Sequence, residues 1–163
     1  MHVEIRLADL ADEAILLEEM DRRIFPPGDR YLAANWAEYE TYILFKDGEA
    51  IGACAFLRGR SLTRNGEPTI RDPASLYIAS TGILPAHQGR GYGKLLKEFQ
   101  RVFARENGFR RLVSICRKRN TTIQGLNWKL GFCITRKIPR YYHDPEDAGV
   151  VMELSLAKKS EKS

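Results

Sequence analysis

The sequence has no long apolar run, so nothing in it reads as a transmembrane helix. Its opening residues, MHVEIRL, lack the apolar core of a signal peptide, which points to the cytoplasm and away from a membrane. Cysteine is scarce: Cys54, Cys116 and Cys133 are odd in number, widely spaced and form no C-x-x-C pair. That suggests neither a disulfide framework nor a zinc site, and leaves three reduced thiols expected in or near the core. A basic stripe interleaved with aromatics is also missing. Its nearest approach, Arg105, Arg110, Arg111, Arg117, Lys118 and Arg119, is broken across separate predicted elements, so nucleic acid is not an expected partner. There is no internal repeat, low-complexity segment or interdomain linker. What remains is a globular composition, 44% hydrophobic and 29% charged, over 163 residues, the size of one domain. The net charge of +5 fits a solvated surface with some attraction for an anionic cofactor or acidic substrate.

The chain is organised around residues 80–107, STGILPAHQGRGYGKLLKEFQRVFAREN. This stretch starts as a strand and breaks at Pro85. It passes through Gln88-Gly89-Arg90-Gly91-Tyr92-Gly93 and becomes a helix with Leu95, Leu96, Phe99, Val102 and Phe103 on one face. Asn107-Gly108 stops that helix. Strand, glycines and helix start together make a device for holding phosphate. Glycine lets the backbone come close, and the first helical N–H groups lack partners inside the helix. The spacing of Gly89, Gly91 and Gly93 is G-x-G-x-G, which is not the dinucleotide fingerprint. Gln88 and Leu95 stand where a P-loop needs glycine and Ser or Thr.

Along the chain, Val3, Ile5 and Leu7 alternate as a strand, and Asp9 caps a helix that ends at Phe25-Pro26-Pro27-Gly28. Tyr31, Leu32, Trp36 and Tyr39 suggest a short amphipathic helix or an ordered loop within 29–40. Residues 41–46 and 50–57 form a hairpin around Asp47-Gly48. Residues 59–73 read as a long surface loop or hairpin tip, and residues 75–84 as the strand feeding the glycine turn. Then come a strand at 111–116, a helix from Asn120 to a Gly131 cap, and strands at 132–138 and 150–156. The order β-α-(α)-β-β-β-α-β-α-β-β predicts an α/β fold, a mixed sheet with helices on both faces.

The motif Q-x-x-G-x-G, at Gln88, Gly91 and Gly93, resembles the acyl-CoA signature of the GNAT superfamily of N-acyltransferases. The N-x-x-(apolar)-x-x-L-x-x-K-L-G-F segment, at Asn120, Ile123, Leu126, Lys129, Leu130, Gly131 and Phe132, resembles a second family element, and the order of elements matches over essentially the whole chain. The resemblance implies a GNAT fold: a mixed, mostly antiparallel twisted sheet with a splayed central strand pair. Residues 1–157 would be a single N-acetyltransferase domain and residues 158–163 a charged tail. It implies acetyl-CoA as cosubstrate and no metal. Pantetheine would pair with open backbone groups around Gly82, Ile83 and Leu84. The pyrophosphate would rest on the N–H groups of Gln88, Gly89, Arg90, Gly91, Tyr92, Gly93 and Lys94. Asn120 would contact the cofactor while capping its helix, and Asn127 would meet it from the same helix.

The implied reaction is direct attack of an amine on the thioester in a ternary complex. An oxyanion donor is expected near Ile83 or Leu84. Two family features are missing. The tyrosine that often serves as general acid is Asn127 here, and the strand glutamate of N-terminal acetyltransferases is Ile115. Tyr141 and Tyr142 resemble the tyrosine pair of N-terminal and ribosomal-protein acetyltransferases and are the catalytic candidates. His143, Glu38, Glu40 and Cys116 rank behind them. The tyrosine pair favours a peptide or protein N-terminal amine as acceptor. A small-molecule amine, or a weakly catalytic CoA-binding module, is the alternative, and a monomer or homodimer is expected.

Overall fold

The structure is a computed structural model that describes residues 1–29 and 38–156. Most of the stretch at 29–40, with Tyr31, Leu32 and Trp36, and the tail from Ala157 lie outside the described residues. The elements are β1 (Val3–Leu7), α1 (Leu10–Ile24), a 3₁₀ turn (Pro27–Asp29), β2 (Glu40–Lys46), β3 (Glu49–Ser61) and β4 (Ile70–Ile83). A second 3₁₀ turn (Pro85–His87), α2 (Tyr92–Glu106), β5 (Arg111–Arg117), α3 (Thr121–Lys129), β6 (Cys133–Tyr142) and β7 (Asp147–Ser155) complete them. The seven strands form one sheet in the order β1-β2-β3-β4-β5-β7-β6. Every neighbouring pair is antiparallel except β4 and β5.

Local chemistry starts the elements where expected. The Asp9 carboxylate accepts the Ala11 N–H at the start of α1, and Asn120 Oδ1 accepts the Ile123 N–H at the start of α3. Asp47 and Gly48 both take positive φ, the geometry a two-residue hairpin turn requires.

The sheet carries a core on each face. Leu17 and Met20 of α1 pack with Ile43, Ala53 and Ala55 on one side. On the other, α2 and the chain after α3 cover Leu44, Cys54, Phe56, Leu76, Leu112 and Met152 through Leu96, Ala104 and Phe132. The half of the first face beyond α1 has its own cluster, Leu62, Tyr77, Val113 and Val151, beneath the β3–β4 tip. Aromatic rings fasten the second half of α2: Phe56 stacks on Phe103 with centroids 4.8 Å apart, and Tyr42 sits 5.1 Å from Phe99 and 5.4 Å from Phe103.

Four readings need correction. The excursion at 59–73 is a hairpin tip, one of the two forms expected of it, but shorter than expected: β3 and β4 extend and pair to Ser61 and Ile70, leaving a tip at 62–69. Tyr141 and Tyr142 end a strand instead of lying in a loop, since β6 runs past a register break and rejoins β7 at Tyr142↔Asp147. Cys133 is exposed because β6 is the sheet's edge. On α2, Leu95 and Val102 face solvent, and the fully buried positions include Leu96, Lys97, Gln100 and Ala104. Apolar periodicity alone does not register a buried lysine or glutamine.

Phe56 is fully buried within the aromatic group. Phe56→Ala should therefore cost about 3–5 kcal/mol in equilibrium urea unfolding. A loss under about 1 kcal/mol would mean that these rings do not hold α2 to the sheet.

Candidate active site at the parting of two strands

The parallel pairing of β4 with β5 is short, running from Ser75↔Arg111 to Ile78↔Ser114. Beyond it the strands separate while each stays bound on its outer side. β5 pairs with β7 to Arg117↔Gly149, and β4 with β3 to Ile83↔Gly52. The cause of the separation lies at Ala79. Ala55 pairs with Ser80 and Phe56 with Ile78, so Ala79 is an extra residue, a β-bulge that bends β4 where its contact with β5 ends.

The bend leaves backbone groups facing a gap. The Leu84 N–H donates to the Ile51 carbonyl at 2.8 Å, which sets the phase of the β3–β4 ladder. Antiparallel pairs alternate between hydrogen-bonded and not, so Ile83↔Gly52 and Thr81↔Cys54 are the non-bonded pairs. The N–H groups of Thr81 and Ile83 therefore turn toward the side β5 has vacated. The Ile83 carbonyl accepts Gln88 Nε2 at 2.9 Å, which ties the glycine turn to the end of β4. Of the two residues expected to carry an oxyanion donor, Leu84 has its N–H committed to β3. Gly82 turns its α-carbon to Ile24 and Phe25, where an added Cβ would stand 2.6 Å and 2.8 Å from them.

The glycine turn opens the gap's outer end. Gly89 and Gly91 take φ of +76° and +90°, with open space where a Cβ would be, so they serve backbone conformation and not tight packing. Gly91 is the N-cap of α2. Among the described residues, the N–H groups of residues 89–94 donate to nothing. Arg90 and Lys94 are exposed beside them. This array of unpaired donors at a helix start, one 3₁₀ turn beyond the open edge of β4, fits a pyrophosphate joined to an amide-bearing arm.

On α3, Asn120 spends its side-chain oxygen on the cap, leaving Nδ2 free of that bond. Asn127 is fully buried. Its Nδ2 donates to Met152 Sδ at 3.5 Å, and its Oδ1 has no partner among the described residues.

The far side of the gap is walled by tyrosines. Tyr141 and Tyr142 meet edge to face with centroids 4.8 Å apart. Tyr141 donates to the Gly66 carbonyl at 3.2 Å and packs so closely on Gly149 that an added Cβ there would lie 2.9 Å from its ring. Tyr142 lies under the Arg117 guanidinium, whose carbon is 4.6 Å from the ring centroid. Arg117 also forms a bidentate pair with Asp29 at 2.7 and 2.8 Å and donates to the His143 and Pro145 carbonyls. One side chain of β5 thus joins the segment after α1 to the β6–β7 turn. Burial pushes the Tyr142 phenol well above its usual range, with Tyr141 adding to the effect, so Tyr142 stays protonated: its hydroxyl can donate or accept a hydrogen bond but does not act as a base. His143 and Glu38 are exposed, and Glu40 is held by Arg58 at 2.6 Å and by the Tyr42 hydroxyl at 2.8 Å.

Sequence reasoning passed over Lys97 and Gln100. Both lie under the inner end of the gap, 2% and 0% exposed. Gln100 Nε2 donates to Thr81 Oγ1 at 2.7 Å, and its Oε1 is unpartnered among the described residues. Lys97 makes no hydrogen bond or ion pair among the described residues. Its Nζ is 5.7 Å from the Phe132 ring centre, and Cys54 of β3 and Cys116 of β5 act on its charge. Burial lowers Lys97 from 10.5 to about 8, and it raises Cys54 to about 12 and Cys116 to about 11. The available signal was a lysine and a glutamine one turn apart on a helix flank that otherwise faces the sheet.

A lysine that titrates lower in the folded chain means that the unfolded chain binds more protons between those values. Stability should therefore rise with pH from about 8 to 10.5 on its account. The thiols act in the opposite sense above their usual value of 9.0, so the comparison must be with Lys97→Met. Urea unfolding across pH 7 to 10.5 should show the variant's advantage shrinking as pH rises; a constant difference would mean that Lys97 is not held unpaired.

A family model described as the acetyltransferase (GNAT) family matches residues 11–132. No curated protein matches the sequence. The ribosomal-protein-S18-alanine N-acetyltransferase of Escherichia coli superposes with a TM-score of 0.77 at 16% identity, covering 99% of each chain. The yncA protein of Salmonella typhimurium, described as a candidate acetyltransferase and solved with its cofactor acetyl-CoA, gives 0.76 at 21% identity, covering 100% of this chain and 99% of its own. GphF, a GNAT-like decarboxylase in complex with isobutyryl-CoA, gives 0.79 at 20% identity, covering 94% of this chain and 100% of its own. At such identities the likeness carries the fold.

Proposed function

This chain belongs to the GNAT acetyltransferase family, and from that premise we propose that it transfers an acetyl group from acetyl-CoA to a primary amine by direct attack in a ternary complex. The observation that carries the reading is two neighbouring sets of unpaired backbone donors, residues 89–94 at the glycine turn and, inward of it, Ile83 and Thr81 on the open edge of β4. Such groups are costly to leave unpaired away from water, and an acyl-CoA is long enough and polar enough to use them in that order.

The N–H groups of Gly89, Arg90, Gly91, Tyr92, Gly93 and Lys94 are the proposed pyrophosphate cradle, with Arg90 and Lys94 adding charge; the Gln88 N–H, expected to join them, instead donates to the Pro85 carbonyl, and Gln88 serves by tying the turn to β4. Ile83 pairs with the pantetheine arm. Thr81, nearest the point where the strands meet, offers its N–H to the carbonyl oxygen, where it stabilises negative charge as it develops. Asn120 Nδ2 is free to meet the cofactor from the start of α3. Asn127 is kept as a candidate through its unpartnered Oδ1. The amine enters from the tyrosine side. Tyr142, protonated throughout the working range, orients it by accepting an amine N–H at its hydroxyl oxygen, which leaves the nitrogen lone pair free to attack, and does not act as its base. Tyr141, fixed between Gly66 and Gly149, holds Tyr142 in place.

We favour a peptide or protein N-terminal amine as the acceptor. The support is the tyrosine pair at the inner end of the gap, together with a fold that matches the S18-alanine enzyme along 99% of both chains. Small amines are the competing acceptors. Calorimetric titration with acetyl-CoA, followed by thiol release with a panel of peptide and small amines, tests both parts of the reading. Binding with release from peptides alone supports it. No binding overturns it.

Gly91→Glu places a carboxylate where the phosphates are proposed to sit. It should abolish acetyl-CoA binding while leaving the circular dichroism spectrum unchanged; retained affinity would remove the cradle from the argument. Tyr142→Phe should lower turnover by ~100-fold with acetyl-CoA affinity unchanged, the scale of a lost positioning contact. Turnover of the variant within a factor of two of the parent would leave Tyr142 a packing residue only.

A further inference from the structure

The floor of the gap, on the α2 face of the sheet, is polar. Thr81, Gln100, Lys97, Cys54 and Cys116 gather where β4 and β5 begin to part, in a region otherwise lined by Leu96, Ile78 and Phe132. A buried ammonium without an anionic partner is costly, and a folded chain normally pairs it. Lys97 has none among the described residues. The titratable groups acting on it are Cys54 and Cys116, which burial keeps as neutral thiols, and the groups beside it from β4 and from its own helix, Thr81 and Gln100, are neutral. The cluster thus holds a cation with no anion beside it among the described residues, next to a Gln100 Oε1 that is also unpartnered there.

We propose that the missing anion is the sulfur of coenzyme A, and that Lys97 is the catalytic residue that receives it. This rests on the acyl-CoA reading above. It supplies the proton donor that Asn127 cannot be, since a carboxamide does not give up a proton near neutrality. Lys97 lies one helical turn into α2 from the glycine turn. Its partner position Gln100 is bonded to Thr81, the residue whose N–H is offered to the reacting carbonyl. The lysine therefore stands below the bond that must break. As the carbon–sulfur bond breaks, its electron pair stays on sulfur. Lys97 faces that charge as an ammonium and passes one Nζ proton to it, giving the free thiol. The attacking amine loses one proton in forming the amide, and Lys97 regains one through solvent, so the reaction leaves no net proton on the enzyme. Cys54 and Cys116 line the place as neutral, weakly polar surfaces that do not compete for the proton.

The test reads the thiol and not only the rate. Wild type and Lys97→Met are first shown to bind CoA by calorimetry. The ultraviolet thiolate absorbance of bound CoA is then titrated against pH, with free CoA, a simple thiol of pKa about 8.5, as reference. An ammonium within contact distance should lower the midpoint in wild type by about one unit or more relative to the variant. The kcat of Lys97→Met should fall ~100-fold, with KM for acetyl-CoA little changed. Lys97→Gln repeats the comparison with a neutral polar side chain, should the methionine variant fold poorly. CoA bound by both proteins with the same thiol midpoint overturns the assignment and leaves the acyl-CoA reading standing. CoA bound by neither overturns that reading and this inference with it.

Discussion

Everything that could serve as a site in this molecule depends on β4 and β5 ceasing to pair after Ile78 and Ser114. A gap inside a sheet exposes backbone donors and acceptors, each costing about 1–3 kcal/mol if it is buried without a partner. The fold contains this cost by keeping the outer ladders whole. β3 stays on β4 as far as Ile83, and β7 stays on β5 as far as Arg117. Only the inner edges are open. The extra residue at Ala79 confines the disturbance to one position, so the gap is a local bend in an otherwise continuous sheet.

The helix beneath the gap is divided along its length. Its second half is fixed by rings, with Phe99 and Phe103 set against Tyr42 and Phe56, and by Arg58 over Phe103 at 5.1 Å. Its first half carries the groups a packed core would ordinarily exclude, Lys97 and Gln100, and the glycine turn before them. Burying a lysine destabilises the chain, and the aromatic half is what lets the helix tolerate it. The division also explains the exposed Leu95 and Val102: the helix is rotated so that polar groups reach the gap, which turns part of its apolar stripe to solvent.

Much of this was legible in the sequence, and what was missed has a common character. Asp9, Asn120, Asp47-Gly48, Pro85 and the glycine turn act on their immediate neighbours, so their meaning survives without a third dimension. The Q-x-x-G-x-G run at Gln88, Gly91 and Gly93 was enough to point to an acyl-CoA family, and the family model over residues 11–132 agrees. The bulge at Ala79 leaves no local mark, because it exists only as a count of residues against β3. The choice of Thr81 and Ile83 over Gly82 and Leu84 as the groups facing the gap follows from ladder phase, which needs the partner strand. The Asp29–Arg117 pair joins residues far apart in the chain. Lys97 was missed for a different reason: periodicity weighs apolar residues, and a lysine counts as solvent-facing until its neighbours are known.

The same gap separates two proton problems. Tyr142, Tyr77 and Arg117 lie on the side of the sheet that holds Leu62 and Val113, whereas Lys97 and Cys116 lie on the side that holds Leu96 and Phe132. Acyl transfer to an amine must remove a proton from nitrogen and deliver one to sulfur. A single titratable group placed between them would have to be base and acid in turn. In the proposed arrangement the sheet keeps the tasks apart. A permanently protonated phenol orients the amine on one face, and a lysine whose value lies near 8 can hold or give a proton on the other. Absence of the expected tyrosine at Asn127 and of the expected glutamate at Ile115 then no longer implies an idle site. The sulfur-side proton is assigned to a different element, α2 in place of α3. In this arrangement the amine's proton leaves to solvent on the tyrosine side, because burial keeps both phenols protonated and neither can take it.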